Sequence, residues 1–254
     1  MIRVAAVGDV HVGGDSAGML REHLATVPER ADLLLLAGDL TKAGEVEEAQ
    51  VLAAELQTLE IQTVAVLGNH DHHADRPDEI AAVLRDVGVV VLEGDGVQVD
   101  TPDGSVGIAG VKGFGGGFAG ANGTEFGEPE MKAFVRHSKE RAVALEQALG
   151  SLGTDVRIAL THYAPVRDTL QGEPPELFPF LGSYLLAEAI DRAGCDLAVH
   201  GHAHRGTEHG VTAGGVTVRN VAQTVLRQGY AVYTFGGDEP KGVPTDAVRA
   251  SSIR

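Results

Sequence analysis

Short apolar runs rich in Val, Ile and Leu recur along the chain, most of them closed by Gly, Asn, Asp or His. They cover residues 2–7, 33–37, 63–67, 89–92, 106–109, 156–160, 197–199, 216–218 and 231–235. Unbroken apolar runs of this length predict strands covered on both faces. Amphipathic stretches lie between them. Residues 16–27 place Met19, Leu20, Leu24 and Val27 at helical spacing. Residues 45–59 open with Glu45, Glu47 and Glu48, which suit the positive end of a helix, and bury Val46, Ala49, Leu52 and Leu56. Further helices are predicted from Pro77 to Gly88, over 128–149 with Gly150 as a stop, and over 183–193 stopped by Gly194. The strand–helix alternation through residue 92 predicts a parallel sheet of βαβ units. Beyond it the strands crowd together, which predicts hairpins and a second or mixed sheet. There is no internal repeat and no linker. The reading is one domain over 1–235 and a polar, Gly/Pro-containing tail over 236–254, mobile or loosely packed.

Composition changes this picture little. The 254 residues suffice for one large α/β core. Aromatics are 4% and Trp is absent, so aliphatic residues must fill the interior. Charge matters more. A net charge of −16 lacks the basic footprint that grips a long nucleic acid, and it repels an anionic membrane. Cys195 is the sole cysteine, so no intrachain disulfide can form. No apolar segment is long enough for a signal core or a membrane span. Together these predict a cytoplasmic protein.

The residues just after the strands carry the chemistry. They are Asp9-Val10-His11, then Asp39, then Asn69-His70-Asp71, then His162, then His200-Gly201-His202-Ala203-His204. Carboxyl ends of parallel strands share one edge, and ligands bind there. Five loops would therefore deliver carboxylate, imidazole and amide donors to one place, a set suited to borderline divalent metals. A Gly-Asp pair alone is a common turn. Its recurrence with histidines at the same end of successive strands is what points to a metal. The Gly-rich stretch 113–120 lacks phosphate-loop spacing and reads as a loop at the rim. Aromatics gather in two long connections, 113–127 and 163–184, where Phe114, Phe118, Phe126, Tyr163, Phe178, Phe180 and Tyr184 either pack or stack on a base. Arg136, His137, Lys139 and Arg167 read as solvated charges, and His72 and His73 as loop residues beside the mouth.

In this order the motifs resemble the calcineurin-like metallophosphoesterases: Asp-x-His, Gly-Asp, Gly-Asn-His-Asp, a single His, and Gly-His-x-His. The resemblance implies an α/β fold, a four-layer α/β/β/α sandwich of two mixed sheets flanked by helices. It implies two metal ions, divalent or trivalent, drawn from Mn, Fe, Zn, Co and Ni. One would take Asp9, His11, Asp39 and His204. The other would take Asp39, Asn69, His162 and His202. It further implies that His70 binds no metal and instead steadies phosphoryl oxygens or protonates the leaving oxygen. Asp71 is expected to orient the His70 ring, and His200 to hold a ligand in place from behind. Two cations about 3.5–4 Å apart suit in-line attack on phosphorus by a bridging hydroxide. The expected activity is hydrolysis of small phosphate esters, diesters (cyclic nucleotides among them) ahead of monoesters. A silent scaffold of the same fold is the alternative, and the presence of every ligand and of His70 argues against it.

Overall fold

The computed structural model describes residues 1–236. The strands in chain order are β1 (Ile2–Val7), β2 (Leu33–Ala37), β3 (Gln62–Val66), β4 (Val90–Leu92), β5 (Asp95–Thr101), β6 (Gly104–Val111), β7 (Gly117–Phe118), β8 (Ala121–Asn122), β9 (Val156–Thr161), β10 (Leu197–His200), β11 (His209–Val211), β12 (Thr217–Asn220) and β13 (Ala231–Phe235). The helices are α1 (Met19–Leu24), α2 (Val27–Arg30), α3 (Val46–Leu56), α4 (Pro77–Asp86), α5 (Pro129–Gly150), α6 (Phe178–Leu181), α7 (Tyr184–Ala193) and α8 (Gln223–Leu226). Beyond Gly236, the tail lies outside the described residues.

One sheet has the order β13-β1-β2-β3-β4 and the other β11-β12-β10-β9-β6-β5. Each has a parallel centre: β1 to β4 in the first, and β12, β10, β9 and β6 in the second. Antiparallel strands β13, β11 and β5 close three of the four edges, and the parallel strand β4 the fourth. Both sheets are therefore mixed. They pack face to face over a core that includes Val4, Leu33, Leu35, Val64, Ile108, Ile158 and Val199. Alternate residues of the first sheet, such as Ala5, Val7, Leu34 and Leu36, meet Leu24, Leu52 and Ile80 of the helices outside it. The far face of the second sheet packs Ala109, Ala159 and Ala198 against Leu145 and Leu149 of α5 and Ile190 of α7. Three buried cores in succession make the α/β/β/α sandwich. They also explain why β2 is apolar at every position: both of its faces are covered.

Several boundaries depart from the sequence pattern. The helix expected over 16–27 breaks into α1 and α2. Gly18 precedes α1 in a left-handed conformation, and Pro28 starts α2 anew. Met19, assigned to the buried stripe, is 61% exposed. The strand β5 carries Asp, Gly, Gln and Thr and shows no apolar run. It forms because Val97 and Val99 alone pack inward while it pairs with β6. α3 opens on a capping box made by Glu45 and Glu48, as its acidic start suggested.

Glu55 of α3 is buried and caps α1: its carboxylate accepts from Gly18 N and, at 2.7 Å, from Arg21 N. Glu55→Ala leaves both donors unpaired. It should destabilise the chain by about 1.5–3 kcal/mol in urea unfolding; a change within error would show that α1 is held by Leu20 and Leu24 alone.

Candidate metal centre

The carboxyl ends of both parallel sheets meet at one edge, and the loops there are laced to one another. Gly8 N donates to Val221 O at 2.9 Å and Gln223 N to Gly8 O at 3.0 Å, which joins the ends of β1 and β12. Asp9 N and His11 N donate to Gly38 O and Asp39 O, tying the loops after β1 and β2. The approach is so close that side chains are excluded. A Cβ on Gly68 would stand 2.2 Å from Asp39 N, and one on Gly38, which has φ +81°, would stand 2.6 Å from the His162 ring.

Asp9, His11, Asp39 and His204 present donor atoms within 4.8 Å of one another, and so do Asp39, His162 and His202. Asp39 belongs to both groups and is 1% exposed. Its Oδ1 lies 3.2 Å from His162 Nε2, and its Oδ2 lies 3.9 Å from His11 Nε2. Asn69 Oδ1 is 2.9 Å from His162 Nε2 and so joins the second group. His204 Nε2 is 2.9 Å from Asp9 Oδ1 and 3.5 Å from His11 Nε2. Asp9, His11, Asp39 and His202 all have φ between 43° and 69°. Left-handed backbone at non-glycine residues is costly and tends to gather at functional sites.

The electrostatics of the donors fit cations. The His162 Nδ1–H donates to Ala37 O at 2.9 Å, so Nε2 keeps its lone pair and faces a carboxylate oxygen, acceptor against acceptor. Burial holds His162 well below the usual imidazole range and takes His202 down to about 3, which leaves both neutral, as ligands must be. Burial raises Asp9 to about 6. His204 is raised because it donates to Asp9. That pair shares a proton in a place where a metal ion would take over the positive charge.

The remaining site residues divide. His70 Nδ1 donates to Lys42 O at 2.7 Å, its backbone N donates to Asp39 Oδ1 at 2.8 Å, and its Nε2 is 4.0 Å from Asp39 Oδ2. The ring thus stands at the edge of the centre with Nε2 inward. Asp71 does not orient it. The Asp71 carboxylate turns the other way, fully buried, and accepts from Gly68 N (2.7 Å), Leu40 N (3.2 Å), Thr41 N (2.7 Å) and Thr41 Oγ1 (2.6 Å). It is a clamp between the loops after β2 and β3, and its place as a catalytic partner of His70 passes to the Lys42 carbonyl. His200 is buried. Its Nδ1 donates to Gly201 O at 2.7 Å and its Nε2 pairs with Thr169 Oγ1 at 2.8 Å, so it buttresses the backbone just before His202.

A cleft of about 490 Å³ opens over His11, His70 and His204, walled by Asp15, Ser16, Met19 and Lys42. On the other side, the Tyr163 ring lies 4.3 Å from that of His202, and Phe114 lies 5.8 Å from Tyr163. Phe118 and Phe178 instead pack into a small core with Leu170 and Ala203. Arg167 stacks on Phe178, Lys139 pairs with Glu125, and His73 stacks on His70 at 4.3 Å. Lys112, which the sequence pattern passed over, sits buried just beyond β6 and beside these rings.

The sequence profile of the calcineurin-like phosphoesterases matches residues 2–206. The chain belongs to that family. It is a metal-dependent phosphoesterase, and the family works through a dinuclear metal centre. No curated protein matches the sequence. Solved structures share its fold. Phosphopantetheinyl hydrolase from Mycobacterium tuberculosis is 18% identical, with a TM-score of 0.65 over 86% of this chain and 88% of that one. The protein TT1561 of Thermus thermophilus is 18% identical, with a TM-score of 0.57 over 91% and 93%. A candidate 5′-nucleotidase of Staphylococcus aureus is 18% identical, with a TM-score of 0.59, and this chain covers 51% of it. Among the described residues no helix is long and apolar enough to cross a membrane.

Acidification should separate the two donor groups. In the first group burial lowers His11, but Asp9 and His204 bind protons more tightly than their free counterparts, whereas His162 and His202 of the second bind them less tightly. As pH falls through about 6, protons compete for the first group, and its metal affinity should drop by up to about tenfold per pH unit for each proton displaced. Metal content across a pH series should therefore show one ion leaving well before the other. Loss of both in a single step would contradict this order.

Proposed function

We propose that the chain hydrolyses small phosphodiesters at a two-metal site, with one ion held by Asp9, His11, Asp39 and His204 and the other by Asp39, Asn69, His162 and His202. The observation that carries this reading is Asp39, whose two oxygens face different histidine groups. When bound, the ions supply Lewis-acid stabilisation of phosphoryl charge and a nucleophile at neutral pH.

The chain's own residues do the rest. His70, fixed through Nδ1 by the Lys42 carbonyl, holds Nε2 toward the centre. From there it donates to a phosphoryl oxygen or hands a proton to the leaving oxygen. Asp71 fixes the spacing of Asp39 and His70 by clamping their loops. The cleft of about 490 Å³ over His11, His70 and His204 has room for a small phosphodiester, cyclic nucleotides included. Fold likeness does not select among them, because the structures sharing the fold carry different named activities. The net charge of −16 favours small substrates over long nucleic acid. A lone, half-buried Cys195 accords with a cytoplasmic setting.

His70→Ala should lower kcat on bis(p-nitrophenyl) phosphate by about 10²- to 10⁴-fold while metal content stays at the wild-type level. Parallel loss of metal and turnover would make His70 a ligand and overturn its assignment. The wild-type enzyme should also prefer this diester to p-nitrophenyl phosphate; the reverse preference would favour a monoesterase.

A further inference from the structure

Lys112 stands at the strand-end edge that carries the two donor groups. Its carbonyl accepts from His162 N and Tyr163 N, both at 3.0 Å, so its backbone is bonded to the loop that holds a candidate ligand. The side chain is 9% exposed. Among the described residues its ammonium meets no hydrogen-bond acceptor and no carboxylate within ion-pair distance. The neighbouring acid, Glu93, is engaged elsewhere. One of its oxygens accepts from the Lys112 backbone N at 2.9 Å, and the other pairs with the Arg141 guanidinium at 2.9 Å.

The ammonium lies instead between two rings, 5.3 Å from the centre of Phe114 and 5.6 Å from that of Tyr163. Tyr163 meets His202 at 4.3 Å, and His202 meets His162 at 4.8 Å. One aromatic ring therefore separates a free positive charge from the candidate metal ligands. His137 closes the far side, edge-on to Phe114 at 4.8 Å. The stem is buried, but the ammonium is not among the buried polar atoms left without a partner, so it reaches solvent between the rings and is open to a ligand. An ammonium with no ion pair of its own, held at this edge in a chain of net charge −16, is free to meet an anionic group from outside the chain.

We propose that Lys112 recognises a second phosphate group on the substrate, carried on one ester substituent, with the rings of Phe114 and Tyr163 framing it beside the centre. This rests on the phosphodiester reading and narrows it: the preferred diester bears a further anionic phosphate.

The test uses a matched pair of substrates, thymidine 5′-(p-nitrophenyl phosphate) with and without a 3′-phosphate, and the metal-loaded full chain. In the wild type the 3′-phosphate should lower KM by about tenfold, the worth of one charge-assisted contact. Lys112→Met should abolish that advantage and leave kcat on the plain ester unchanged, and Lys112→Arg should keep most of it. Calorimetric binding of thymidine 3′,5′-bisphosphate should weaken at least as much in Lys112→Met. Equal KM for the two esters in the wild type, or an equal loss of kcat on both in Lys112→Met, would overturn the proposal. Should the wild type cleave neither ester, the phosphodiester reading fails, and the bisphosphate titration alone decides the role of Lys112.

Discussion

Asp39 is almost wholly buried, and the groups around it are His11, His70, His162 and His202, with Asp9 close by. Two carboxylates in one buried pocket repel each other and lose their hydration. Burial raises Asp9 to about 6, and part of that shift comes from Asp39. The sandwich holds them together regardless, because each follows closely on a strand whose apolar body is locked between two layers. The cost of assembling these charges is met by the inter-sheet core and recovered when cations bind. Fold, site and chemistry all trace to this concentration of negative charge.

The backbone carries the same message. Asp9, His11, Asp39 and His202 adopt left-handed conformations, which L-residues avoid unless their surroundings impose them. The Asp71 carboxylate with its four donors, the stitch between Gly8 and Val221, and the His200 bond to Gly201 are what impose them. These residues carry no ligand atom of the centre. They act by tying the loops to one another, and a productive site needs its groups held to within about 0.5 Å.

Much of this was legible in the chain. Strands closed on both faces have unbroken apolar sequences, so β1, β2, β3, β9 and β10 stand out, and the polar residues just past them are the ones the fold gathers into the candidate centre. What escaped had weak or misleading local signals. β5 is an edge strand with only Val97 and Val99 turned inward, and its Asp and Gly residues mimic a loop. Met19 matched the helical stripe, yet Gly18 shifts the helix so that it faces the cleft. Asp71 follows His70 directly, but the turn of the chain sends the two side chains to opposite sides, and adjacency in sequence says nothing of that. Lys112 did have a signal: it follows a strand, as the ligands do. The apolar run ending at Ala109 stops short of Val111, where β6 ends, so the pattern does not place the residue at the edge.

The central claim is that one carboxylate, Asp39, is shared by two metal ions. Electron paramagnetic resonance of the protein reconstituted with two Mn²⁺ per chain tests it most directly. A shared carboxylate with the ions about 3.5–4 Å apart predicts a spin-coupled spectrum, which collapses to weakly bound, uncoupled ions in Asp39→Ala. Two uncoupled mononuclear signals in the wild-type protein would contradict it.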